Sequence, residues 1–427
     1  MPNRPRAHSS TTVSTTPAIT CTKQATNSFS TRNNSPQRPR DPTDRKHLPA
    51  HPSPLGPPNP HPPAPTDQPR NTQESPIRLA HHTLPLTAGA ACLALALTGC
   101  ADDHTTPDTK PAPSATTAAK PAPALNTTQA LAVIRNYSTT NNEANAIRDR
   151  VKLDTIEDGP LYAMSVADYT EAEGLPKADR TPYKAWSYDT ASAKLYIPRL
   201  PPGQDRWFAA ALSDQKGTAP SRLAVFVESP SNRRWEMVSV VDLDGTTLPS
   251  VALDQTGYAT AVATKDIQQL AAGPDLLRAA VLDNFATGGA TTGTKVFAPT
   301  VASRRQIRVH DTTGNQYGKL GTSVFAGAPS RYTDAYALKT TDGGALILFS
   351  HTHTQTDAVA RLGLQITPNK DDRAWLHDVP RSSIQYTFVC SDAATVPAKG
   401  PSQLIGYTCA RTNAFGPPAA SRQPNLA

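Results

Sequence analysis

The sequence lacks the local motifs by which common catalytic sites are recognised. It contains no Gly-x-Ser-x-Gly, no His-Glu-x-x-His and no Cys-x-x-Cys pattern, and it has no Ser-x-x-Lys in a convincing setting. Each of these motifs places a nucleophile or a metal ligand beside its catalytic partner. Catalytic residues can also lie far apart in a sequence, so the missing motifs make an enzyme less favoured without excluding one.

The first 77 residues lack clustered apolar side chains. Between Pro2 and Pro76 this segment contains seventeen prolines, together with many Ser, Thr, Asn, Arg and His residues. A chain of this composition cannot bury enough apolar surface to offset the entropy that is lost on ordering. We therefore expect residues 1–77 to form a long disordered N-terminal region.

Beyond residue 99 the sequence lacks an excess of basic residues. Residues 1–99 hold ten Lys or Arg against four Asp or Glu, whereas the whole chain has a net charge of +7. The rest of the chain is nearly neutral, with 32 basic and 31 acidic residues. A nearly neutral region has no general electrostatic attraction to phosphate backbones, so we do not expect a nucleic acid as a partner.

The apolar run at residues 84–97 is too short for a membrane-spanning helix. Its length of about 14 residues is typical of the core of a signal peptide. Arg78 lies in a weakly basic flank before the run. The run ends in the sequence Leu97-Thr98-Gly99-Cys100.

This ending resembles the lipobox of bacterial lipoproteins, which is Leu-x-Gly-Cys after an apolar segment. In that family a lipid is attached to the cysteine thiol, and the signal peptide is cleaved just before it. The resemblance implies that residues 78–99 are a signal peptide and that Cys100 anchors the protein to the outer face of the cytoplasmic membrane. The alternative is a buried segment with a chance cysteine, but the Pro- and Thr-rich flanks offer nothing to pack against.

Two neighbouring features bear on this anchor. Residues 100–124 form a Pro/Ala/Thr tether, which would reach some ~70 Å if extended. No methionine occurs between Met1 and Met164. Because lipoprotein signals normally begin near the N-terminus, a true start within the leader, such as Leu48 or Leu55, would explain its length.

Few cysteines remain after the anchor. Cys21 and Cys92 fall in the leader and signal, so Cys390 and Cys409 are left for the folded region. Outside the cytosol two such thiols tend to pair. We expect a disulfide that staples a terminal hairpin and contributes roughly 3 kcal/mol. The alternative is two unpaired buried cysteines, and a zinc site would need more ligands than these two.

Helix and strand signals begin after the tether. Asn126 or Thr127 can cap a helix through Ile134 and Tyr137 and on to Ile147. Short runs with two-residue alternation then predict strands at residues 193–197, 207–212, 223–228 and 235–242.

The pattern then restarts. Asp266 can cap a helix that carries Ile267 and Leu270, and Pro274 opens a second helical stretch. Strand signals return at residues 306–310, 332–339, 345–351, 362–366 and 384–390. The segments RWFAAALSD and RLAVFVES match RYTDAYALKTTDGGALILFSHT in order, which indicates a degenerate duplication with a period of about 140 residues and suits tandem domains.

A leading helix followed by a meander of antiparallel strands resembles the cystatin-like and NTF2-like folds. It also resembles actinobacterial lipoproteins whose domain has no assigned function. The resemblance implies an α+β fold of two tandem units, each a helix with a curved antiparallel sheet and a pocket between them. We assign the first unit to residues 125–260, the second to residues 261–415 and a disordered tail to residues 416–427.

Four features are weighed as candidate sites. His351 and His353 share a strand face and are weak metal-ligand candidates, with solvent-facing histidines at a strand end as the alternative. The turn Asp242-Leu-Asp244-Gly245 resembles the opening of a calcium loop but lacks the later ligands. Residues 288–295 resemble a P-loop with Lys and Thr reversed. The tryptophans are expected in the core or on sheet faces rather than in a sugar platform: Trp186, Trp207, Trp235 and Trp375.

The combined hypothesis is a membrane-tethered module without enzymatic activity and without a cofactor or bound metal. It would bind an envelope protein or a cell-wall component. The alternatives are a small-molecule carrier or sensor that uses the pocket, and an NTF2-like hydrolase or isomerase. A deep apolar pocket with one or two carboxylates or histidines would favour the alternatives, and filled cores would favour the binding module.

Overall fold

Helices and antiparallel sheets alternate along the chain in the computed structural model, which describes residues 18–20, 121–213, 220–245 and 247–419. The helices are α1 (Thr127–Ile147), α2 (Arg150–Leu153), α3 (Gly159–Gly174), α4 (Thr264–Ile267), α5 (Pro274–Thr287), α6 (Gly293–Val296), α7 (Val301–Gly314) and α8 (Arg373–Leu376). Short 3-10 helices occur at Lys177–Asp179, Gly318–Leu320 and Lys370–Asp372.

The strands fall into separate sheets. They are β1 (Ala18–Thr20), β2 (Ala122–Pro123), β3 (Lys194–Tyr196), β4 (Pro198–Leu200), β5 (Trp207–Leu212), β6 (Arg222–Glu228), β7 (Trp235–Asp242), β8 (Ala259–Thr260), β9 (Gly321–Gly327), β10 (Ala335–Lys339), β11 (Ala345–Val359), β12 (Gln365–Thr367), β13 (Ser383–Val396) and β14 (Gln403–Phe415). Helices with several antiparallel strands confirm the predicted α+β class.

Helix α1 starts where the sequence predicts it. The Asn126 side chain accepts a hydrogen bond from the backbone N–H of Gln129 at 2.9 Å, and the Gln129 side chain accepts one from the N–H of Asn126. This capping box satisfies two of the N–H groups that a helix start leaves unpaired. The helix ends at Arg148, which has a left-handed backbone with φ of 59°.

The first half of the chain builds a four-stranded antiparallel sheet in the order β3-β5-β6-β7. Phe208 of β5 stacks on Phe226 of β6 with ring centroids 4.8 Å apart, and Tyr137 of α1 meets the edge of Phe226 at 6.1 Å. The helical side of this sheet is therefore filled by aromatic and aliphatic side chains. Trp207 projects from the opposite face, where its ring lies 5.2 Å from Tyr336 of β10.

The second half builds a five-stranded antiparallel sheet around β11. One edge of β11 pairs with β13 along its length, and the other edge pairs first with β10 and then with β9. Successive residues along these strands point to opposite faces of the sheet, and each face belongs to a different core cluster. One face packs with the first half through Leu338, Leu346, Leu348, Val389, Ala393, Ile405 and Ala410. The other face packs on α5 and α7 through Ala337, Ala345, Ile347, Phe349, Ala394, Val396, Leu404 and Tyr407.

Backbone contacts also join the halves. Leu243 forms an isolated bridge with Gly406 of β14, and the N–H of Asp244 donates to the carbonyl of Ile405 at 3.1 Å. The Asp244 carboxylate pairs with Arg305 of α7 at 2.7 Å. The four-stranded and five-stranded sheets stay separate, and both contribute side chains to one core cluster.

One predicted strand is wrong, and a second is shorter than predicted. Residues 306–310 belong to α7, because Thr300 forms a capping box with Ser303 and starts a helix before them. The run Gln-Ile-Arg-Val-His alternates as a strand does, but α7 buries only a narrow stripe, so the helical period is hard to recognise. The strand predicted at residues 362–366 is confined to β12, and Leu362 is 96% exposed. Asp266 lies inside α4, whose N-cap is Ala263.

The predicted disordered tail begins later than residue 416. Gly416, Pro417 and Ala419 are held against residues 380–382, because the Ser382 N–H donates to Pro417 and the Ala419 N–H donates to Pro380. Residues 420–427 lie outside the described residues. Of the leader, the structure describes only β1, which pairs in parallel with the edge of β12. The rest of the predicted leader, the predicted signal peptide and residues 100–120 of the predicted tether lie outside the described residues.

The close approach at Gly406 gives the first testable prediction. A Cβ there would lie 2.2 Å from the carbonyl oxygen of Asp242, whereas a Cβ at Gly314 in α7 would meet no atom within 4 Å. We expect Gly406→Ala to lower the free energy of unfolding by about 2 kcal/mol, because the halves must move apart. Gly314→Ala should change it by less than about 0.5 kcal/mol. Urea denaturation of the full protein measures both, and equal effects would contradict the described joint.

Candidate functional site

A row of polar side chains occupies the middle of the face of β11 that turns toward α5. Alternate strand residues share a face, so His351, His353, Gln355 and Asp357 follow the apolar Phe349 on that face. All four are buried, with exposures of 1%, 3%, 4% and 0%. The expectation of solvent-facing histidines at a strand end is therefore wrong, because α5 and α7 cover this part of the sheet.

The His351 imidazole is oriented by a carboxylate on the neighbouring strand. Its Nδ1 lies 2.6 Å from Oδ2 of Asp392, and both side chains are at most 1% exposed. Its other ring nitrogen, Nε2, lies 3.2 Å from Nδ1 of His353. A carboxylate on Nδ1 favours the tautomer that leaves the lone pair of Nε2 free to accept a hydrogen bond or to bind a metal.

His353 lies between aromatic rings. Its ring stacks on Phe285 of α5 at 4.4 Å and on Phe388 of β13 at 5.0 Å between centroids. Burial, and then the nearby charge of His351, lower the pKa of His353 well below its usual value. The His353 imidazole is therefore neutral at neutral pH.

The polar row extends into both covering helices. Gln306 of α7 donates to Oδ1 of Asp392 at 3.5 Å and accepts from Nδ2 of Asn284 in α5 at 2.9 Å. At the other end of the row, the Asp357 carboxylate accepts hydrogen bonds from Tyr317 at 2.7 Å and from Ser323 at 2.6 Å. Buried polar groups that pair in this way fill the interior between helix and sheet.

The two remaining cysteines lie beside this row. The register places His351 opposite Cys390, and Cys390 opposite Cys409. The two Sγ atoms lie 1.99 Å apart, at bonding distance. Cys390 is fully buried and Cys409 is half-buried. The ligand atoms of His351, Cys390 and Cys409 all lie within 4.8 Å of one another.

A second buried network lies between α1 and the start of α3. Oε1 of Glu157 accepts hydrogen bonds from Tyr137 at 2.7 Å and from Asn141 at 3.2 Å. Burial raises the pKa of Glu157 to about 7, against the opposing effect of hydrogen bonds from Ser165, Tyr137 and Asn141. Because Glu157 is 1% exposed, a substrate cannot reach this carboxyl without displacement of a helix.

A cleft of about 710 Å³ opens between α1 and residues 187–190. It is lined by Arg135, Ser138, Thr139, Asn142, Ser187, Tyr188, Asp189 and Thr190. The Asn142 side chain links α1 to the segment opposite, since its Oδ1 accepts from the Tyr183 hydroxyl at 2.5 Å and its Nδ2 donates to the Trp186 carbonyl at 2.6 Å. The lining is mainly hydroxyl, amide and charged groups.

Opposite charges lie in this cleft. Arg135 is exposed and has no hydrogen-bond or ion-pair partner among the residues that the structure describes. Hydrogen bonds from Ser192 and from the N–H of Ala191 lower the pKa of Asp189 below its usual value. The cleft therefore offers a guanidinium donor, a carboxylate acceptor and hydroxyl groups to a ligand.

In the calcium-like turn, one oxygen of each carboxylate is bonded to an arginine. Oδ1 of Asp242 accepts from Arg222 at 2.9 Å, and Oδ1 of Asp244 accepts from Arg305 at 2.7 Å. A cation would have to displace both arginines. The resemblance to a calcium loop is therefore coincidental.

The backbone N–H groups of the P-loop-like segment at residues 288–295 are bonded to a carboxylate of the protein itself. The Asp283 carboxylate accepts the backbone N–H groups of Thr291, Thr292 and Gly293 at 3.1, 2.8 and 2.8 Å. Burial alone would raise the pKa of Asp283, but these bonds and those from Thr287 and Thr291 hold it well below its usual range. A phosphate cannot enter, because the carboxylate takes the N–H groups that would bind it.

The tryptophans pack against the cores, as expected. Trp207 is 8% exposed, while Trp186 and Trp235 pack partly buried against the first core and Trp375 packs against a small cluster near α8. Cys100 and the lipobox residues Leu97, Thr98 and Gly99 lie outside the described residues.

Sequence reasoning missed the acidic residues of these sites, which are Glu157, Asp189, Asp283 and Asp392. Glu157 follows a short helix and carries no motif, so its burial could be recognised only from the fold. The role of Asp283 could have been predicted from the sequence. An acidic residue near the end of a helix, followed by a turn rich in Gly and Thr, often accepts hydrogen bonds from the backbone N–H groups of that turn.

Comparisons with known proteins relate the chain to a domain family and to several lipoproteins. A family model for a domain of unknown function (DUF8094) matches residues 121–416. An uncharacterized lipoprotein of Streptomyces coelicolor is 71% identical over 349 residues, which is 82% of this chain and 98% of the relative. A second one from the same species is 25% identical, covering 78% of this chain and 94% of the relative. An uncharacterized lipoprotein of Streptomyces avermitilis is 27% identical, covering 68% and 86%.

No solved structure matches the chain significantly. Among the residues that the structure describes, none of the helices combines the length and the apolar character needed to cross a bilayer.

The buried Glu157 gives the second prediction. Its pKa of about 7 in the folded protein exceeds the ordinary value of 4.5. Between these pH values the folded protein keeps a proton that the unfolded chain has lost, so the free energy of unfolding falls as the pH rises through this window. In the Glu157→Gln variant, the decrease in the free energy of unfolding between these pH values should be smaller than in the wild type by about 3 kcal/mol.

Chemical denaturation of the full protein at a series of pH values from 4 to 8 tests this expectation. Glu143→Gln is the matched control, because Glu143 is an exposed partner of Lys152. Its profile should run parallel to that of the wild type. If the Glu157→Gln profile also runs parallel, Glu157 does not titrate as described.

Proposed function

The chain belongs to the family of the domain of unknown function DUF8094, and from this membership we propose that it is an exported lipoprotein anchored through Cys100. The names of the relatives support lipidation, and the lipobox at residues 97–100 supplies the acceptor thiol. The tether then holds the folded region away from the outer face of the cytoplasmic membrane.

The folded region acts as a binding module rather than as an enzyme or a carrier. The observation that supports this best is the contrast between filled interiors and an open, polar cleft beside α1. His351, Asp392 and Glu157 are 0–1% exposed and have partners within the protein. A carrier or an NTF2-like enzyme would need such groups in an accessible pocket.

The ligand of the cleft is a polar chain with an acidic group. Arg135 can bind a carboxylate, while Asp189 and the surrounding hydroxyls can pair with amide or hydroxyl groups of the same ligand. A peptide segment of the cell wall or of an envelope protein has this chemistry. The cleft volume of about 710 Å³ lies in the range of ligand sites.

The two halves are tandem units of the cystatin-like or NTF2-like kind. Each half has helices followed by an antiparallel sheet, and the hairpin β5–β6 corresponds to the hairpin β10–β11 in order. These correspondences support a duplication. The fold has diverged, since the strands β11, β13 and β14 of the second half are longer than the strands β5, β6 and β7 of the first half.

The anchor is tested by substitution of Cys100. Cys100→Ala should release the protein from the membrane or leave it unprocessed, because no thiol remains to accept the lipid. Membrane fractionation with a metabolic lipid label measures both outcomes, and Cys409→Ala serves as a control that should keep the label. A Cys100→Ala protein of wild-type size that stays membrane-bound would disprove the lipoprotein proposal.

The cleft is tested by substitution of Arg135. Arg135→Gln should weaken binding of the purified mature protein to an insoluble cell-wall and envelope fraction about tenfold, because a charge-assisted hydrogen bond is lost. Arg361→Gln, which changes an exposed arginine after β11, should leave cosedimentation unchanged. Equal binding by both variants, or no binding by the wild type, would overturn the proposed role of the cleft.

A further inference from the structure

We propose that Cys390, Cys409, His351 and His353 form a zinc site when the bond between the two cysteines is reduced. The proposal does not depend on the cleft beside α1. It assigns two states to the terminal hairpin, one closed by a disulfide and one closed by a metal ion. The cation would be of the Zn²⁺ type, because two thiolates and two imidazoles are the donors that this ion prefers at tetrahedral sites.

The ligand atoms of His351, Cys390 and Cys409 lie within 4.8 Å of one another, and Nδ1 of His353 lies beside two of these three residues. Around a tetrahedral zinc, ligand atoms lie about 3.3 to 3.8 Å apart, given Zn–N of about 2.0 Å and Zn–S of about 2.3 Å. Nε2 of His351 lies 3.2 Å from Nδ1 of His353, and Sγ of Cys390 lies 3.8 Å from the same Nδ1. Once the disulfide is reduced, the two sulfurs are free to separate to the distance that a shared ion requires.

The strand register brings these residues together without any loop. His351, Cys390 and Cys409 are direct neighbours across β11, β13 and β14, and His353 lies two residues further on the same face. Sites built on adjacent strands of a sheet have little freedom to move apart. The two cysteines alone were too few for a zinc site, and the fold supplies the two missing nitrogen ligands.

The surroundings match those of a metal-binding histidine. Asp392 holds Nδ1 of His351 at 2.6 Å, which leaves Nε2 as the ligand atom. Carboxylates bonded to the second ring nitrogen of a ligating histidine fix its tautomer and orientation. Phe285 and Phe388 flank His353 and exclude water. Cys409 is half-buried and gives a reductant access to the sulfur pair.

The conversion balances with a dithiol as the reductant. A dithiol of an exported thiol–disulfide oxidoreductase would attack the bond and become a disulfide itself. Its two electrons and two protons pass to Cys390 and Cys409, which become thiols. Binding of Zn²⁺ then releases the two thiol protons to solvent, since the thiolate is the ligand.

The experiment compares the oxidised and reduced forms of the full mature protein. The protein is treated with tris(2-carboxyethyl)phosphine, freed of reductant under nitrogen and titrated with Zn²⁺ against a chromophoric chelator. We expect one Zn²⁺ per reduced chain, with an affinity at least about a hundredfold above that of the oxidised form. Co²⁺ should give the absorption bands of a tetrahedral site with thiolate ligands.

Variants show which residues bind the ion. The double variants Cys390→Ser/Cys409→Ser and His351→Gln/His353→Gln should lose the zinc and the cobalt bands, while His310→Gln, at a half-exposed histidine of α7, should keep both. Asp392→Asn should keep the stoichiometry and weaken the affinity about tenfold or more.

Circular dichroism follows the fold in each sample. If the reduced wild type stays folded and binds no more zinc than the oxidised form, the proposal is wrong. The same holds if the histidine double variant keeps the wild-type cobalt spectrum. If reduction unfolds the protein and Zn²⁺ does not restore the fold, the proposal also fails.

Discussion

Burial of the five-stranded sheet on both faces is the constraint on which the rest of the structure depends. Strand β11 begins with residues that are apolar on both faces, because one face meets the first half and the other meets α5 and α7. Polar side chains further along the strand are covered as well. They must then find partners inside the protein, and the pairs of His351 with Asp392 and of Asp357 with Tyr317 follow from this requirement.

The sequence predicts those parts of the fold that local signals determine. Asn126 and Gln129 carry the capping box of α1 in their own side chains, and the hairpins of both halves alternate visibly. The burial of His351 could not be predicted in this way, since Asp392 is 41 residues distant and the covering Phe285 belongs to a helix on another part of the chain. Alternation alone assigns a polar face to solvent, and only tertiary packing overrides that assignment.

The misassigned segments share one physical cause. Three of the four buried residues of α7 are polar, so hydrophobicity does not mark the buried face of the helix; the four are Ala302, Ser303, Gln306 and Thr313. The P-loop-like turn does not bind phosphate for a related reason. Its backbone N–H groups donate to Asp283, which lies in α5 before the turn begins. In both places a buried polar side chain acts as a structural element, and patterns of apolar residues cannot detect it.

Filled interiors also limit where the protein can meet a partner. Because the side chains of the polar row and of the Glu157 network bond to one another inside the protein, a peptide or a small organic molecule would have to displace packed helices to reach them. The outer surfaces of the helices remain, and α1 is the one whose exposed Arg135 and Thr139 border a cleft with hydroxyl and carboxylate groups. Recognition on an outer helix surface suits a tethered protein, because the approach of a large, immobile polymer or of another envelope protein needs no opening of the fold.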